Sequence, residues 1–248
     1  MAERELRVLW LYPDHMNIYA DRGNIAVLER RCAWRGIAFS LSTAGLRERF
    51  DPDGHELLYM GGGQDRDQAL VAQDLVDTKR APIETALARE VAMLAVCGGY
   101  QLLGHSYELP DGESLPGLGV ADLRTVREPG PRLIGNVVIE ADLGGSVETL
   151  AGFENHGGRT YLGPDETPLG RVITGSGNNG KDGHEGVRRG RLIGTYLHGP
   201  LLPKNAILAD VLIGWALSAR HGDGSALEPL DDTLEDRAHE CAVHAARR

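Results

Sequence analysis

The stretch that decides the fold is residues 91–104, which read Val-Ala-Met-Leu-Ala-Val-Cys97-Gly98-Gly99-Tyr-Gln-Leu-Leu-Gly. Residues 91–96 form an apolar run typical of a buried strand, and a helical pattern begins at the two glycines. A strained turn from strand to helix lifts its side chain clear of the sheet, and adjacent glycines leave room for a ligand. The N–H groups of a helix N-terminus also favour a thiolate. We therefore predict that Cys97 is a catalytic nucleophile.

The other cysteines and the overall charge narrow the class of protein. Cys32 and Cys241 fit structural roles, and three scattered cysteines predict neither a disulfide framework nor a metal site. The formal net charge of −10 argues against binding to nucleic acid. The apolar stretches are shorter than the ~20 residues that cross a bilayer. We expect a cytoplasmic protein without direct contact to nucleic acid or membrane.

Apolar runs and helical patterns alternate along the first half of the chain. The predicted strands are residues 6–12, 37–41, 57–60 and 91–96, and the predicted helices are residues 22–35, 68–76 and 83–89. This alternation predicts an α/β fold with a mostly parallel central sheet flanked by helices. Strand-like segments at residues 119–126, 133–139, 171–174 and 186–188 predict an antiparallel extension, followed by a strand at 192–196 and a helix at 204–220.

The chain divides into one domain and a tail. We expect the domain to cover residues 1–220. Residues 221–248 begin with a Gly-Asp-Gly linker, which we expect to be mobile, and then show the pattern of one helix.

A cysteine nucleophile needs a base, and His198 is well placed for that role. It follows the last predicted strand and precedes Gly199-Pro200, where a side chain would face the rim of the sheet. His156 is the alternative base.

The segment Gly61-Gly62-Gly63 follows the predicted strand at residues 57–60. Its backbone N–H groups could point at a developing negative charge on a substrate. A tight glycine turn is the simpler interpretation, and the segment lacks the spacing of a dinucleotide-binding or phosphate-binding loop. Its pairing with Cys97 favours the role of an oxyanion hole.

Together these motifs resemble the class I, or triad-type, glutamine amidotransferases, which have a flavodoxin-like fold. Residues 154–160, Glu-Asn-His-Gly-Gly-Arg-Thr, resemble a loop of the branch that includes cobyric acid synthase. Residues 11–24 and 31–36 resemble the start of the GatD family, the small glutaminase subunits of lipid II isoglutaminyl synthases. The resemblance covers residues 6–220 and leaves the tail outside.

The resemblance implies a division of labour between two subunits. This chain would hydrolyse L-glutamine. A Mur-ligase-like partner, MurT, would use ATP and Mg²⁺ to activate the α-carboxyl of D-glutamate in lipid II, and ammonia would convert it to D-isoglutamine. We therefore expect a heterodimer that serves peptidoglycan biosynthesis and cell shape, with no cofactor or metal in this chain.

The resemblance also implies catalytic roles. Cys97 would form the γ-glutamyl thioester, and His198 would carry the proton to the departing ammonia. The N–H groups of Gly62 or Gly63 and of Gly98 would hold the oxyanion.

Four further residues would bind the substrate. The fixed guanidinium fork of Arg132 would pair with the α-carboxylate of glutamine. Gln101 would shape the pocket, which Asn155 and His156 would line.

Two positions depart from the common pattern of the family. Ala95 replaces a glycine two residues before the nucleophile, a small change that the turn tolerates. Pro200 stands where the usual triad has a glutamate two residues after the histidine. An acidic residue of MurT is the expected substitute, which predicts low glutaminase activity for the chain alone and higher activity in the complex.

The sequence leaves several roles open. Tyr19, Asp21 and Arg22 could belong to the pocket or to an interface, or they could form an ordinary helix entry with Asp21 as N-cap. Two other functions also stay open: an amidotransferase subunit for a cobyrinate-like or other carboxylate acceptor, and a catalytically silent subunit that stabilises its ligase. Residues 14–24 favour the GatD-type function over the first, and an intact pair of Cys97 and His198 argues against the second.

Overall fold

Strands and helices alternate through the first hundred residues of the fold, and mostly strands follow. The computed structural model of the chain describes residues 4–18, 21–222 and 227–247. Its strands are β1 (Glu5–Leu11), β2 (Ala38–Ala44), β3 (Leu57–Met60), β4 (Ala92–Val96), β5 (Ser106–Glu108), β6 (Ser114–Pro116), β7 (Leu123–Val126), β8 (Leu133–Asp142), β9 (Val147–His156), β10 (Arg159–Leu162), β11 (Gly170–Thr174), β12 (His184–Glu185), β13 (Val187–Arg189) and β14 (Leu192–Thr195). Its helices are α1 (Arg22–Trp34), α2 (Asp65–Asp74), α3 (Arg80–Ala88), α4 (Gly98–Leu102), α5 (Ala206–His221) and α6 (Thr233–Ala246).

The central sheet contains six strands in the order β13-β14-β4-β3-β1-β2. All neighbours in it are parallel except β13 and β14. Strands β3, β4 and β14 are buried along their whole length, which explains why they read as continuous apolar runs rather than alternating ones. The carboxyl ends of these three strands lie at one edge, since Met60 pairs with Ala95 and Val96 with Thr195. The three segments predicted to carry catalytic groups, which contain Gly61–Gly63, Cys97 and His198, therefore lie at that edge.

The predicted antiparallel extension consists of two separate four-stranded sheets, ordered β10-β7-β5-β6 and β12-β11-β8-β9. Strands β8 and β9 pair from Leu133 opposite His156 to Asp142 opposite Val147. The strand expected at residues 119–126 begins only at Leu123, because Leu118 and Val120 donate instead to carbonyls at the end of α4. Residues 154–156, expected in a loop, end β9, and the turn proper is Gly157-Gly158.

One predicted boundary between helices is absent. The helices expected at residues 68–76 and 83–89 belong to one continuous segment, in which a π-helical turn (Leu75–Lys79) joins α2 to α3. Lys79 is fully buried in this turn and donates to Asp74 Oδ2 and to the Gly45 carbonyl, each at 2.9 Å. These bonds hold the turn against the sheet, so the chain does not leave the helix there. Within the described residues, none of the helices has the length and apolar character that crossing a membrane requires.

The C-terminal segment is fixed to the domain by a buried arginine. Residues 223–226, in the predicted linker, lie outside the described residues. Arg31 of α1 is 1% exposed and donates two hydrogen bonds to Asp210 of α5 and two to Asp232, which directly precedes α6. His239 of α6 contacts the Lys204 carbonyl at 2.9 Å, in the 3-10 turn between His198 and α5. Arg31 thus joins α1 and α5 to the tail, and Arg35 adds a second link through Asp210 and the Glu228 carbonyl.

We expect Arg31→Met to lower the free energy of unfolding by about 2–3 kcal/mol, because Asp232 loses its guanidinium partner and Asp210 keeps only that of Arg35. The loss stays moderate, since Asp210 and Asp232 are 20% and 26% exposed and keep some hydration. Urea unfolding of the full chain measures the change. Arg30→Met on the exposed face of the same helix is the control, and an equal loss in both variants would contradict the assignment.

Candidate active site

Cys97 stands on the strained turn between β4 and α4. Its φ is 50° and its ψ is −105°, a backbone region that non-glycine residues rarely adopt. Hydrogen bonds hold the turn: Cys97 N donates to Thr195 O at 2.8 Å, and Gln101 N donates to Cys97 O at 3.0 Å. The side chain is buried but lines a cavity. This geometry is that of a nucleophile elbow.

His198 follows β14 and is fully buried at the same edge of the sheet. Its backbone exchanges two hydrogen bonds with Phe153 of β9, at 2.9 and 3.1 Å, which fixes the residue across two sheets. Burial alone would lower the pKa of His198. The charge of Cys97 and the carboxylate of Asp21 outweigh it and raise the pKa to about 10. The protonated form of the His198 imidazole is therefore favoured.

A carboxylate of this chain faces His198. Asp21 Oδ1 lies 3.7 Å from His198 Nδ1, and both side chains are fully buried. Asp21 occupies the N-cap position of α1, as the helix-entry interpretation expects, but its side chain makes no capping hydrogen bond. The expectation that this chain offers His198 no carboxylate needs correction, although Pro200 does occupy the usual position. Arg22 is an exposed first residue of α1, and Tyr19 lies outside the described residues.

The second oxygen of Asp21 decides between the two candidate oxyanion donors. Gly62 N donates to Asp21 Oδ2 at 2.7 Å, so this N–H already has a partner. Gly63 N lies 2.8 Å from the position that a Cβ on Gly98 would occupy. The backbones of Gly63 and Gly98 therefore approach closely beside Cys97. Their N–H groups remain as the pair that could hold an oxyanion.

A cavity of about 350 Å³ opens at this edge, within the size range of small-molecule sites. The predicted residues Gly63, Cys97, Gln101, Arg132 and His156 line it together with Ile18, Gln64, Asp65, Arg66, Gln68, Tyr107 and Gly157. A larger cavity, of about 510 Å³, lies at the opposite edge of the sheet around Val91 and Leu192 and contains neither Cys97 nor His198. No metal-holding group of His, Cys, Asp or Glu occurs among the residues that the structure describes.

The register of β8 and β9 positions the predicted substrate-binding arginine. Arg132 precedes Leu133, which pairs with His156. The guanidinium donates from Nε to Asn155 Oδ1 at 2.8 Å and from Nη2 to Asn155 O at 2.7 Å. Asn155 therefore orients Arg132 at the cavity wall. This arrangement supplies a positive charge for a carboxylate ligand.

His156 lies in the same cavity wall, but its surroundings differ from those of His198. Its ring stacks on Tyr196, with centroids 3.5 Å apart and planes 5° apart. Nδ1 bonds to the Gly158 carbonyl at 2.7 Å, and burial lowers the pKa of the imidazole. A neutral, stacked ring suits a pocket wall. Glu154 Oε2 lies 3.7 Å from His156 Nε2 but does not outweigh burial, so His198 is the one of the two histidines whose pKa is raised overall.

Gln101 belongs to a buried chain of hydrogen bonds that sequence reasoning missed. Gln68 Nε2 donates to Gln101 Oε1 at 2.8 Å, Gln101 Nε2 donates to the Tyr196 hydroxyl at 3.1 Å, and that hydroxyl bonds to Thr160 at 2.7 Å. This series of hydrogen bonds connects α2, α4 and the segment that carries His198. One signal for Gln68 is in the sequence: it shares the buried stripe of α2 with Val71 and Ala72, where apolar residues are expected.

Glu185 holds the segment that carries His198 in place, and nothing in the sequence indicated this role. Its fully buried carboxylate accepts hydrogen bonds from Tyr196 N at 2.6 Å and Thr195 Oγ1 at 2.9 Å. Burial raises the pKa of Glu185 to about 7, although these two hydrogen bonds act in the opposite direction. The carboxylate fixes the end of β14 two residues before His198.

Comparisons with known proteins agree with this geometry. Residues 7–206 match the CobB/CobQ-like glutamine amidotransferase domain. The chain is 40% identical over 246 residues to the GatD subunit of lipid II isoglutaminyl synthase (glutamine-hydrolyzing) from Staphylococcus aureus, covering 98% of this chain and 97% of that one. The same subunit from Streptococcus pneumoniae is 37% identical, with 95% and 90% covered.

A solved structure shows the same fold. A glutamine amidotransferase from Thermotoga maritima superposes with a TM-score of 0.55 at 18% identity, covering 98% of this chain and 95% of that chain. The predicted α/β fold class and the resemblance to class I amidotransferases and the GatD family are thereby confirmed. The chain is an enzyme of the CobB/CobQ-like glutamine amidotransferase family.

Proposed function

We propose that the chain is the glutaminase subunit of a lipid II isoglutaminyl synthase that acts in the cytoplasm. It hydrolyses L-glutamine and supplies ammonia to a Mur-ligase-like partner of the MurT type. The observation that carries the proposal is Cys97 on its elbow beside His198, in a chain similar over almost its whole length to two subunits of that name. ATP and Mg²⁺ bind the partner, which activates the α-carboxyl of D-glutamate.

The geometry supports a thioester mechanism. The Cys97 thiolate attacks the γ-carboxamide carbon of glutamine, and the N–H groups of Gly63 and Gly98 hold the resulting oxyanion. The C–N bond breaks as the imidazolium of His198 gives its proton to the departing nitrogen, which leaves as ammonia. Water, deprotonated by His198, then hydrolyses the thioester to glutamate and restores the thiolate. Asp21 stabilises the imidazolium at Nδ1.

The test is ammonia release from L-glutamine by the purified chain, alone and with a co-expressed Mur-ligase-like partner. Wild type should release ammonia, faster with the partner, and Cys97→Ala and His198→Ala should abolish release. Cys241→Ala is the matched control, since this thiol is exposed and far along the chain from the site. Release that survives Cys97→Ala would contradict the mechanism.

The acceptor is tested separately. With ATP, Mg²⁺ and lipid II, the complex should amidate the D-glutamate α-carboxyl, which mass spectrometry detects. Ammonia release without amidation of lipid II would point to a cobyrinate-like or other carboxylate acceptor. Absence of ammonia release in both preparations would favour a catalytically silent subunit.

A further inference from the structure

Gln68 brings a buried amide to the wall of the cavity that contains Cys97. The residue lies on α2 and is 1% exposed, yet it lines the cavity. A glutamine in this position is unfavourable unless its amide is hydrogen-bonded. The partners of its two amide atoms therefore indicate what the cavity receives.

The amide nitrogen is fully used within the protein. Nε2 donates to the Gly63 carbonyl at 3.3 Å and to Gln101 Oε1 at 2.8 Å. The Gly63 carbonyl can only accept, so a rotated amide would place Oε1 against an oxygen. The network thus fixes which end of the amide is oxygen.

The amide oxygen has no such partner. Oε1 of Gln68 is a buried atom without a hydrogen bond to any residue that the structure describes. Buried acceptors in proteins are almost always paired, and an exception calls for a ligand or a water. The side chain of Gln68 lines the cavity, so a ligand that enters the cavity lies against this residue.

The position of Gln68 identifies the donor. Its Nε2 lies 2.3 Å from where a Cβ on Gly98 would be, so the amide is next to the elbow and the oxyanion donors. L-glutamine carries two donor groups, the α-ammonium and the carboxamide –NH₂. The carboxamide is the group that must meet Cys97, whereas the charge of Arg132 suits the α-carboxylate at the other end of the molecule.

We propose that Gln68 is a substrate-binding residue whose Oε1 accepts a hydrogen bond from the carboxamide –NH₂ of glutamine. This inference rests on the proposed glutaminase function. While the C–N bond breaks and the nitrogen takes the proton of His198, the same oxygen keeps a bond to the departing ammonia. A γ-carboxylate offers no N–H, so the contact also selects glutamine over glutamate.

The experiment compares two substrates in the full chain with its partner. L-glutamine carries the γ-NH₂ donor, and the γ-methyl ester of L-glutamate replaces it by a methoxy group without one. Gln68→Met should lower kcat/KM for glutamine by roughly 10- to 100-fold and should change hydrolysis of the ester little. Gln68→Glu sets a second oxygen against the Gly63 carbonyl and Gln101 Oε1, so it should slow hydrolysis of both substrates, but it keeps the acceptor oxygen and with it the wild-type ratio of amide to ester hydrolysis. Gln73→Met, on the exposed face of the same helix, is the control.

The outcomes separate this inference from its alternatives. Equal losses of kcat/KM for both substrates in Gln68→Met would mean that Gln68 only positions the Gly63 segment, and this result would overturn the proposal. Unchanged hydrolysis of both substrates by Gln68→Met would also overturn it. Wild type that hydrolyses neither substrate would contradict the proposed function itself, and the inference with it.

Discussion

Asp21→Asn is expected to lower kcat for glutamine hydrolysis by roughly 100- to 10,000-fold while the chain stays folded. Asparagine can keep the hydrogen bond from Gly62 N through its Oδ1. Its amide nitrogen, a donor, then faces His198 Nδ1 in place of a carboxylate oxygen 3.7 Å away. A donor at this point destabilises the imidazolium, so the pKa of His198 should fall below its wild-type value of about 10.

Two measurements check this expectation. NMR titration of the chain with labelled histidine gives the pKa of His198, whose signal is assigned by its absence in His198→Ala. Steady-state ammonia release gives kcat. Asp14→Asn is the matched control, because Asp14 is exposed in the same loop and should leave both quantities unchanged. Full activity of Asp21→Asn, with or without the partner, would show that the base needs no carboxylate from this chain.

Gly98→Ala should reduce kcat by roughly 100- to 1,000-fold, the usual cost of losing one oxyanion donor. A Cβ at this position would lie 2.3 Å from Gln68 Nε2 and 2.8 Å from Gly63 N. The side chain of Gln68 can move, but Gly63 N is a backbone atom. Relief of the contact therefore separates the two N–H groups that hold the oxyanion.

The Gly98→Ala substitution should weaken the stabilisation of the oxyanion without changing the reactivity of the Cys97 thiolate. Alkylation of Cys97 by iodoacetamide needs the thiolate but no oxyanion donor, so its rate should stay near that of wild type. Gly214→Ala in α5 is the control, since nothing lies within 4 Å of the added Cβ. Loss of both alkylation and hydrolysis would place the damage at the elbow itself.

The sequence predicted those features of the site that follow from local order along the chain. Cys97, His198 and Gly63 each follow a strand of one parallel sheet, and the carboxyl ends of such strands meet at one edge. The choice between Gly62 and Gly63 needed the position of Asp21. Arg132 came from the resemblance alone, because an arginine before a strand is usually at the surface.

The features that the sequence did not reveal depend on contacts between distant segments. Asp21 reaches His198 only because the loop after β1 folds over Gly61 and Gly62, where Ile18 N donates to the Gly62 carbonyl. Glu185 is buried by the packing of β12 behind β14, and no periodic pattern indicates that a charged residue enters the core. Arg31 and Asp232 are 201 positions apart, so their contact has no local signature.

The backbone conformation at Cys97 lowers the stability of the fold but positions the thiol for the reaction. With φ at 50° and ψ at −105°, the residue occupies the mirror image of an extended conformation, which glycine reaches freely and other residues reach at a cost of about 1–3 kcal/mol. A chain selected for stability alone would carry glycine there. The protein instead keeps a cysteine at this strained position, and the packing of the surrounding core offsets the cost.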